Sequence, residues 1–242
     1  MKKNISILGS TGSIGSTTLS IIRKKKIFKI ILLSANKNYS EICEQIKKYK
    51  PKYFIINDRK IFEKINIKFK KNKIKIFNNF EKVSKKEKFD ITVSAIPGIS
   101  GLQPTMSMIK QSKKILIANK ESIICGWSLI KNIAKKNNTK IIPIDSEHFS
   151  IMQLIQNYKK NEIEKIYLTA SGGPFLNYNL KRFKNIKPEQ AFKHPKWRMG
   201  KKISIDSSTL MNKILELIEA KKLFGLDNKK LEILIHPESL VH

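Results

Sequence analysis

Short apolar runs rich in β-branched residues recur along the first part of the chain, at 5–8, 30–34, 54–57, 74–77, 91–95, 115–118 and 141–144. They are continuous rather than alternating, the pattern of strands buried on both faces. Between them, 40–49, 103–112 and 122–136 space their apolar residues as one helix face does. Strand and helix alternating in this way predict a parallel, doubly wound α/β sheet over residues 1–149. Right-handed crossovers would then place every strand's carboxyl end, and any ligand, along one edge.

The texture changes after about residue 150. Strand patterns at 163–169, 203–205 and 231–235 are separated by longer irregular stretches holding Gly172-Gly173-Pro174 and His194-Pro195. A helical pattern over 209–224 has Leu210, Ile214, Leu217 and Ile218 as its apolar stripe, with Asp206-Ser207-Ser208 placed to cap it. Residues 150–242 are therefore expected to form a second, α+β catalytic domain.

Composition limits what this chain can be. Its 242 residues suffice for two cores, and 40% are hydrophobic, so it is not a disordered chain. No apolar run reaches the roughly 18 residues needed to span a bilayer. The start, Met1-Lys2-Lys3-Asn4, runs straight into a strand pattern without a secretory leader. Two isolated cysteines, Cys43 and Cys125, fit a reducing compartment. Together these predict a cytoplasmic enzyme with no membrane partner. The formal charge of +30 raises nucleic-acid binding. Its lysines are scattered in pairs and triplets, such as 24–26, 70–71 and 135–136, rather than gathered in one arm, so the expectation is no nucleic-acid partner. A basic surface would still draw in an anionic substrate.

The chemistry starts at GSTGSIG, residues 9–15, between the first strand and the first helix. Glycines at every third position are a variant of the dinucleotide fingerprint: Gly9 for the tight turn, Gly12 for close approach to pyrophosphate, Gly15 for helix–strand packing. The first domain therefore reads as Rossmann-like. The second strand ends in Asn36-Lys37-Asn38, where an NAD-binding protein has an acid for the ribose hydroxyls. A lysine and no acid favour the 2′-phosphate of NADPH.

Asp145-Ser146-Glu147-His148 follows the strand at 141–144. Two carboxylates so placed are costly unless a cation sits between them, although Asp145 or Ser146 could instead simply cap a helix. Asn212 and Glu216, four apart with Lys213 beside them, share one helix face. That face is either solvated or part of a site. Ser171-Gly172-Gly173 could form an anion-binding turn, and the segment 194–200, with Trp197, could form a lid.

Taken together, the segments GSTGSIG, ANKES at 118–122, DSEH at 145–148, SGGPF at 171–175, HPKWRMG at 194–200, KISIDSSTLMNK at 202–213 and HPESLVH at 236–242 resemble the 1-deoxy-D-xylulose 5-phosphate reductoisomerases, in that family's order and across the whole chain. The resemblance implies that Thr11, Gly12, Ser13 and Ile14 bind NADPH, with Asn36, Lys37 and Asn38 near its adenosine end. Asn119, Glu121 and Gly200 would also meet the cofactor, and Lys120 would reach the substrate. Asp145, Glu147 and Glu216 would hold Mg²⁺, Mn²⁺ or Co²⁺. Ser146, Ser171, His194, Trp197, Ser207, Asn212 and Lys213 would hold the phosphorylated sugar. Lys120 and His194 join the three carboxylates as catalytic candidates. The implied reaction rearranges 1-deoxy-D-xylulose 5-phosphate to a branched aldehyde, by retro-aldol/aldol or ketol shift, and reduces it to 2-C-methyl-D-erythritol 4-phosphate. A homodimer is implied too, as are further strands and a helical domain beyond HPESLVH. In the family a glycine usually stands at the position of Asn36. The alternatives are another NADP-dependent dehydrogenase of a phosphorylated substrate, without the three carboxylates, and a chain that binds cofactor but turns nothing over.

Overall fold

The computed structural model describes residues 2–192 and 201–241. It divides into two compact units, Met1–Ile144 and Asp145–His242. The division falls slightly ahead of the boundary read from the sequence, because Asp145 already stands at the N-cap of a helix that packs within the second unit.

In the first unit, strands β1 (Lys3–Leu8), β2 (Phe28–Ala35), β3 (Tyr53–Ile56) and β4 (Lys75–Phe77) alternate with helices α1 (Ser13–Arg23), α2 (Tyr39–Tyr49) and α3 (Arg59–Lys68). Strands β5 (Phe89–Ser94), β6 (Ser112–Ile117) and β7 (Lys140–Pro143) follow, with α4 (Leu102–Ile109) and α5 (Lys120–Lys136) between them. All seven strands are parallel, in the order β4-β3-β2-β1-β5-β6-β7. The chain winds outward from β1 in one direction and from β5 in the other. The crevice where the direction reverses lies between the carboxyl ends of β1 and β5, the place where such sheets bind ligands.

The strands hold register because both their faces are buried. Ile5, Ile7, Leu33, Phe54, Ile56 and Val93 pack with Leu19, Ile42, Ile46 and Ile65 from the helices. The sheet centre also carries a buried hydroxyl chain that hydropathy does not reveal. Ser6 bonds Thr92 across β1 and β5, Thr92 bonds Ser112 on β6 at 2.7 Å, and the Ser112 hydroxyl donates to the Met108 carbonyl at 2.7 Å. Each of these hydroxyls thus has a partner, as burial requires.

Asp90 pins the far end of the same strands. Its carboxylate accepts from the Asn4 amide and from Lys113, each at 2.8 Å. Lys113 and then the Asn4 amide hold its carboxyl below the usual 3.8. Asp90→Ala is expected to cost about 1–2 kcal/mol at neutral pH, since it strands a strand-end amide. A depressed carboxyl contributes above its unfolded pKa and loses that contribution as pH falls through the folded one. Urea unfolding of the two proteins should therefore differ at pH 7 and converge in acid; a constant gap would count against this anchor.

The second unit contains α6 (Ser146–Ile155), β8 (Ile166–Ala170), α7 (Pro188–Ala191), α8 (Lys201–Ser208), α9 (Met211–Phe224) and β9 (Leu231–Ile235). Strands β8 and β9 pair in parallel. Its core joins Ile151, Leu168, Ala220, Leu226 and Leu231. Two expectations are corrected here. The strand expected at 203–205 is part of helix α8, because alternation over three residues is too short to set a period and the segment packs on α9 rather than on a strand. And α9 is not capped by Asp206-Ser207-Ser208, which end α8; its N-cap is Leu210, left-handed at φ 59°, whose backbone N–H donates to the Ser207 carbonyl. No helix among the described residues is long and apolar enough to cross a membrane.

Candidate functional site

The glycine loop sits in the β1–β5 crevice. Gly9 has φ 80°, and a Cβ there would lie 2.8 Å from the Ala95 carbonyl oxygen, so the loops after β1 and β5 touch. Gly15 lies still closer to backbone: its Cβ would fall 2.2 Å from the Gly9 oxygen. Gly12 is the exposed N-cap of α1 and supplies no side-chain acceptor to the first-turn amides. With Thr11 half-buried and Ser13 and Ile14 exposed beside it, this helix start offers amides and positive dipole to an anion.

Gln45, which the sequence reading does not single out, fixes that loop. It is buried on α2, accepts from the Ser10 hydroxyl at 2.6 Å and donates to the Ser10 carbonyl at 3.0 Å. The available signal is a polar residue on an apolar helix face, between Ile42 and Ile46. Asn36, Lys37 and Asn38 are exposed just after β2. Asn38 also caps α2, accepting from the Glu41 amide at 3.3 Å. Asn36 does not take a positive φ, so the non-glycine residue there carries no left-handed strain.

Asn119 is buried at the end of β6. It caps α5 by accepting from the Ser122 amide at 2.5 Å, and it donates to the Gly98 carbonyl at 2.8 Å and to that of Ile96. It therefore ties the loop after β5 to the start of α5, where Lys120 is buried and Glu121 half-buried.

In the second unit, one carboxylate oxygen each from Asp145, Glu147 and Glu216 lies within 4.8 Å of the others. Helix α6 supplies the first pair and α9 the third. The alternative in which Asp145 merely caps a helix does not hold: it stands at the N-cap of α6 without a side-chain cap bond, its carboxylate turned to the His148 ring at 3.2 Å. The solvated reading of the α9 face fails as well. Asn212, Lys213 and Glu216 are 9%, 6% and 2% exposed, while Ile214, expected in the apolar stripe, is 45% exposed. Asn212 donates to Glu216, and Lys213 pairs with Glu147 at 2.7 Å and with Glu216 at 2.5 Å. Ser146 is exposed and donates to Glu147 at 2.8 Å.

His148 is fully buried behind this cluster. Its Nε2 faces the Glu216 main-chain carbonyl at 2.9 Å, an acceptor only. Its Nδ1 faces Asp145 at 3.2 Å and Glu219 at 3.6 Å. Burial opposes charging of the ring. The bond to Asp145, the Glu219 and Asp145 charges and the Glu216 carbonyl outweigh it and raise the pKa to about 9. Glu219, 1% exposed, is the second residue that the sequence reading does not single out. Three carboxylate oxygen donors at that spacing fit a divalent cation of the Mg²⁺ or Mn²⁺ kind.

Ser171 begins a turn in which Gly172 and Gly173 are both left-handed, at φ 87° and 73°. A Cβ on Gly173 would lie 2.7 Å from the Ser207 carbonyl oxygen. The fold thus brings the Ser171 turn together with Ser207, near the end of α8. His194, Trp197 and Gly200 lie outside the described residues.

The first unit is thus a dinucleotide-binding fold of Rossmann type, and the second carries a carboxylate cluster of the kind that holds divalent cations. Within that class, the chain belongs to the 1-deoxy-D-xylulose 5-phosphate reductoisomerase family. Residues 5–126 match that family, and residues 141–224 match the family of its C-terminal domain. The chain is 55% identical to the 1-deoxy-D-xylulose 5-phosphate reductoisomerase of Pelagibacter ubique over 246 residues, covering 99% of this chain and 63% of that protein. It is similar to a crystal structure of DOX-P reductoisomerase in complex with NADPH, fosmidomycin and magnesium, with TM-score 0.90 and 36% identity over 99% of this chain and 62% of the other. It is also similar to the Zymomonas mobilis enzyme in complex with NADPH, with TM-score 0.89 and 34% identity over 100% and 63%. The chain spans about 63% of the length of the curated relatives it matches.

Proposed function

We propose that this chain carries the NADPH- and divalent-metal-dependent isomerisation and reduction of 1-deoxy-D-xylulose 5-phosphate to 2-C-methyl-D-erythritol 4-phosphate, a step of isoprenoid biosynthesis. The observation that carries the proposal is the set of three carboxylates within 4.8 Å, two half-buried at the start of α6 and one buried on α9, a helix whose expected apolar stripe is partly exposed. A dehydrogenase without metal chemistry has no use for it.

Residues 1–144 serve as the NADPH domain. The amides at the start of α1, around Thr11, Gly12, Ser13 and Ile14, receive the pyrophosphate, and Asn36, Lys37 and Asn38 meet the adenosine end. Asn119, by holding the loop after β5, keeps the crevice open for the nicotinamide half, with Glu121 beside it; Gly200 touches the cofactor by resemblance. Residues 145–242 serve as the metal and substrate domain. Asp145, Glu147 and Glu216 hold Mg²⁺, Mn²⁺ or Co²⁺, with Asp145 kept in place by His148. When bound, the ion supplies Lewis-acid polarisation of the sugar's carbonyl and hydroxyl oxygens, and NADPH supplies the hydride. Ser171, Ser207 and Lys213 take the substrate phosphate, with Asn212 and Ser146 on its polar groups. His194, Trp197 and Lys120 complete the substrate contacts by resemblance. Binding energy from the phosphate would anchor the sugar while its carbon skeleton rearranges.

The test is NADPH oxidation by the 242-residue chain with 1-deoxy-D-xylulose 5-phosphate, with and without Mn²⁺. Oxidation that needs both supports the proposal. NADPH binding without turnover supports the rival, a chain that holds cofactor only. Lys37→Ala is expected to weaken NADPH by about tenfold, the effect of one lost charge-assisted phosphate contact, and to leave NADH nearly unchanged. Equal losses for the two cofactors would remove Lys37 from the 2′-phosphate. Two free cysteines, one of them exposed, support a cytoplasmic setting. A homodimer follows from the family resemblance, and light scattering of the purified chain tests it.

A further inference from the structure

Lys213 is a buried lysine, and a lysine is seldom buried unless it is paired. Its ammonium lies 2.7 Å from a Glu147 oxygen and 2.5 Å from a Glu216 oxygen. These two residues are also two of the three that could hold a cation. The lysine and a metal ion would therefore draw on the same carboxylates. His148 also touches one of the three, Asp145, but its ring is fixed in place by Glu219 and a main-chain carbonyl.

We propose that Lys213 is an internal stand-in for the metal: it neutralises Glu147 and Glu216 while the ion is absent, is displaced when the ion binds, and then turns its ammonium to the anionic group of the substrate. This rests on the metal-site reading above and adds the order in which the site fills. Three observations carry it. The ammonium contacts two of the three carboxylates of the cluster. Its stem is four flexible carbons long, so the charge can move while the backbone stays put. Its residue lies in the first turn of α9, just past the break after α8, which carries Ser207, and the Ser171-Gly172-Gly173 turn packs against Ser207.

The consequence is a linkage. Metal binding frees a cation for the substrate anion, and the anion, by holding that cation away, tightens the metal by the same factor. Metal would therefore bind ahead of phosphorylated substrate. A lysine that only stabilised the fold would give no such coupling.

The test reads Mn²⁺ binding to the full chain by electron paramagnetic resonance, without turnover. Lys213→Met keeps the stem's bulk and removes the charge. It is expected to bind Mn²⁺ about tenfold more tightly than the wild type, within the usual range of coupling between sites. Saturating inorganic phosphate should tighten Mn²⁺ binding in the wild type and do so less in Lys213→Met. Lys213→Met with wild-type or weaker Mn²⁺ affinity overturns the proposal. Should Lys213→Met fail to fold, the wild type alone decides: Mn²⁺ affinity that phosphate does not move overturns it. A wild type that takes up no Mn²⁺ at all brings down the metal-site reading itself. That result is distinct from Mn²⁺ binding that is intact and indifferent to Lys213.

Discussion

Glu216→Gln is expected to abolish metal-dependent turnover while leaving the chain folded and able to bind NADPH. Glutamine keeps the size of the side chain and can still meet Asn212 and Lys213, which contact the carboxylate in the native protein. It removes one of the charges that offset the cation. Loss of a supporting group alone costs metal affinity about 10–100-fold, and a ligand should exceed that range. A metal that stabilises developing negative charge is worth several kcal/mol, so turnover should fall on the order of 10³-fold or more. The dinucleotide loop belongs to the other compact unit, so NADPH titration should be nearly unchanged. Mn²⁺ titration and NADPH fluorescence on the same sample check both halves. Full Mn²⁺ affinity in this variant would remove Glu216 from the site, and a parallel loss of NADPH binding would point to misfolding instead. Asp145→Asn should behave similarly, since its carboxylate is turned into the same cluster.

The second large effect separates two glycines of one loop. At Gly15 an added methyl meets Gly9 oxygen at 2.2 Å and Ser10 Cα and carbonyl carbon at 2.6 and 2.8 Å. All three are backbone atoms and cannot rotate aside, so helix α1 and strand β1 must move apart. Gly15→Ala is expected to cost about 3 kcal/mol, the upper range for overpacking, and to eliminate NADPH binding. At Gly12 the same methyl meets only the Gly9 oxygen, at 3.3 Å, on an exposed N-cap with φ −82°. Gly12→Ala should change stability by no more than about 1 kcal/mol, the cost of a poorer cap. It should still weaken NADPH at least about tenfold, because the lost approach is to the ligand. Thermal unfolding and NADPH titration of both variants decide the matter. A Gly15→Ala protein as stable as wild type would falsify the packing role, and undiminished NADPH affinity in Gly12→Ala would take the pyrophosphate away from this loop.

Much of this molecule could be read before any coordinates. The seven parallel strands announce themselves as continuous apolar runs, because strands covered by helices on both faces have no polar side. The glycine loop is legible because its spacing answers local needs of turn and close approach. Asp145 and Glu147 are adjacent enough in sequence to be suspected of sharing a ligand. What failed in the sequence reading depended on distant neighbours. Residues 203–205 alternate like a strand, but packed on α9 they join a helix. Asp206 to Ser208 look like a cap, yet they end one helix before the next begins at Met211. Gln45 and Glu219 look like ordinary polar helix residues until their partners, Ser10 and His148, are seen beside them.

Sequence by itself thus determined the parallel sheet, the glycine loop after its first strand and the nearness of Asp145 to Glu147, since each follows from periodicity or spacing within a short stretch. Tertiary structure alone decided which face of α9 is buried. Its hydropathy favours Leu210, Ile214, Leu217 and Ile218, yet the fold buries Asn212, Lys213, Glu216, Glu219 and Ala220. The reason is electrostatic. A charged face can leave water only where opposite charges meet it, and Glu147, Asp145 and His148 come from another helix, some 70 residues earlier in the chain.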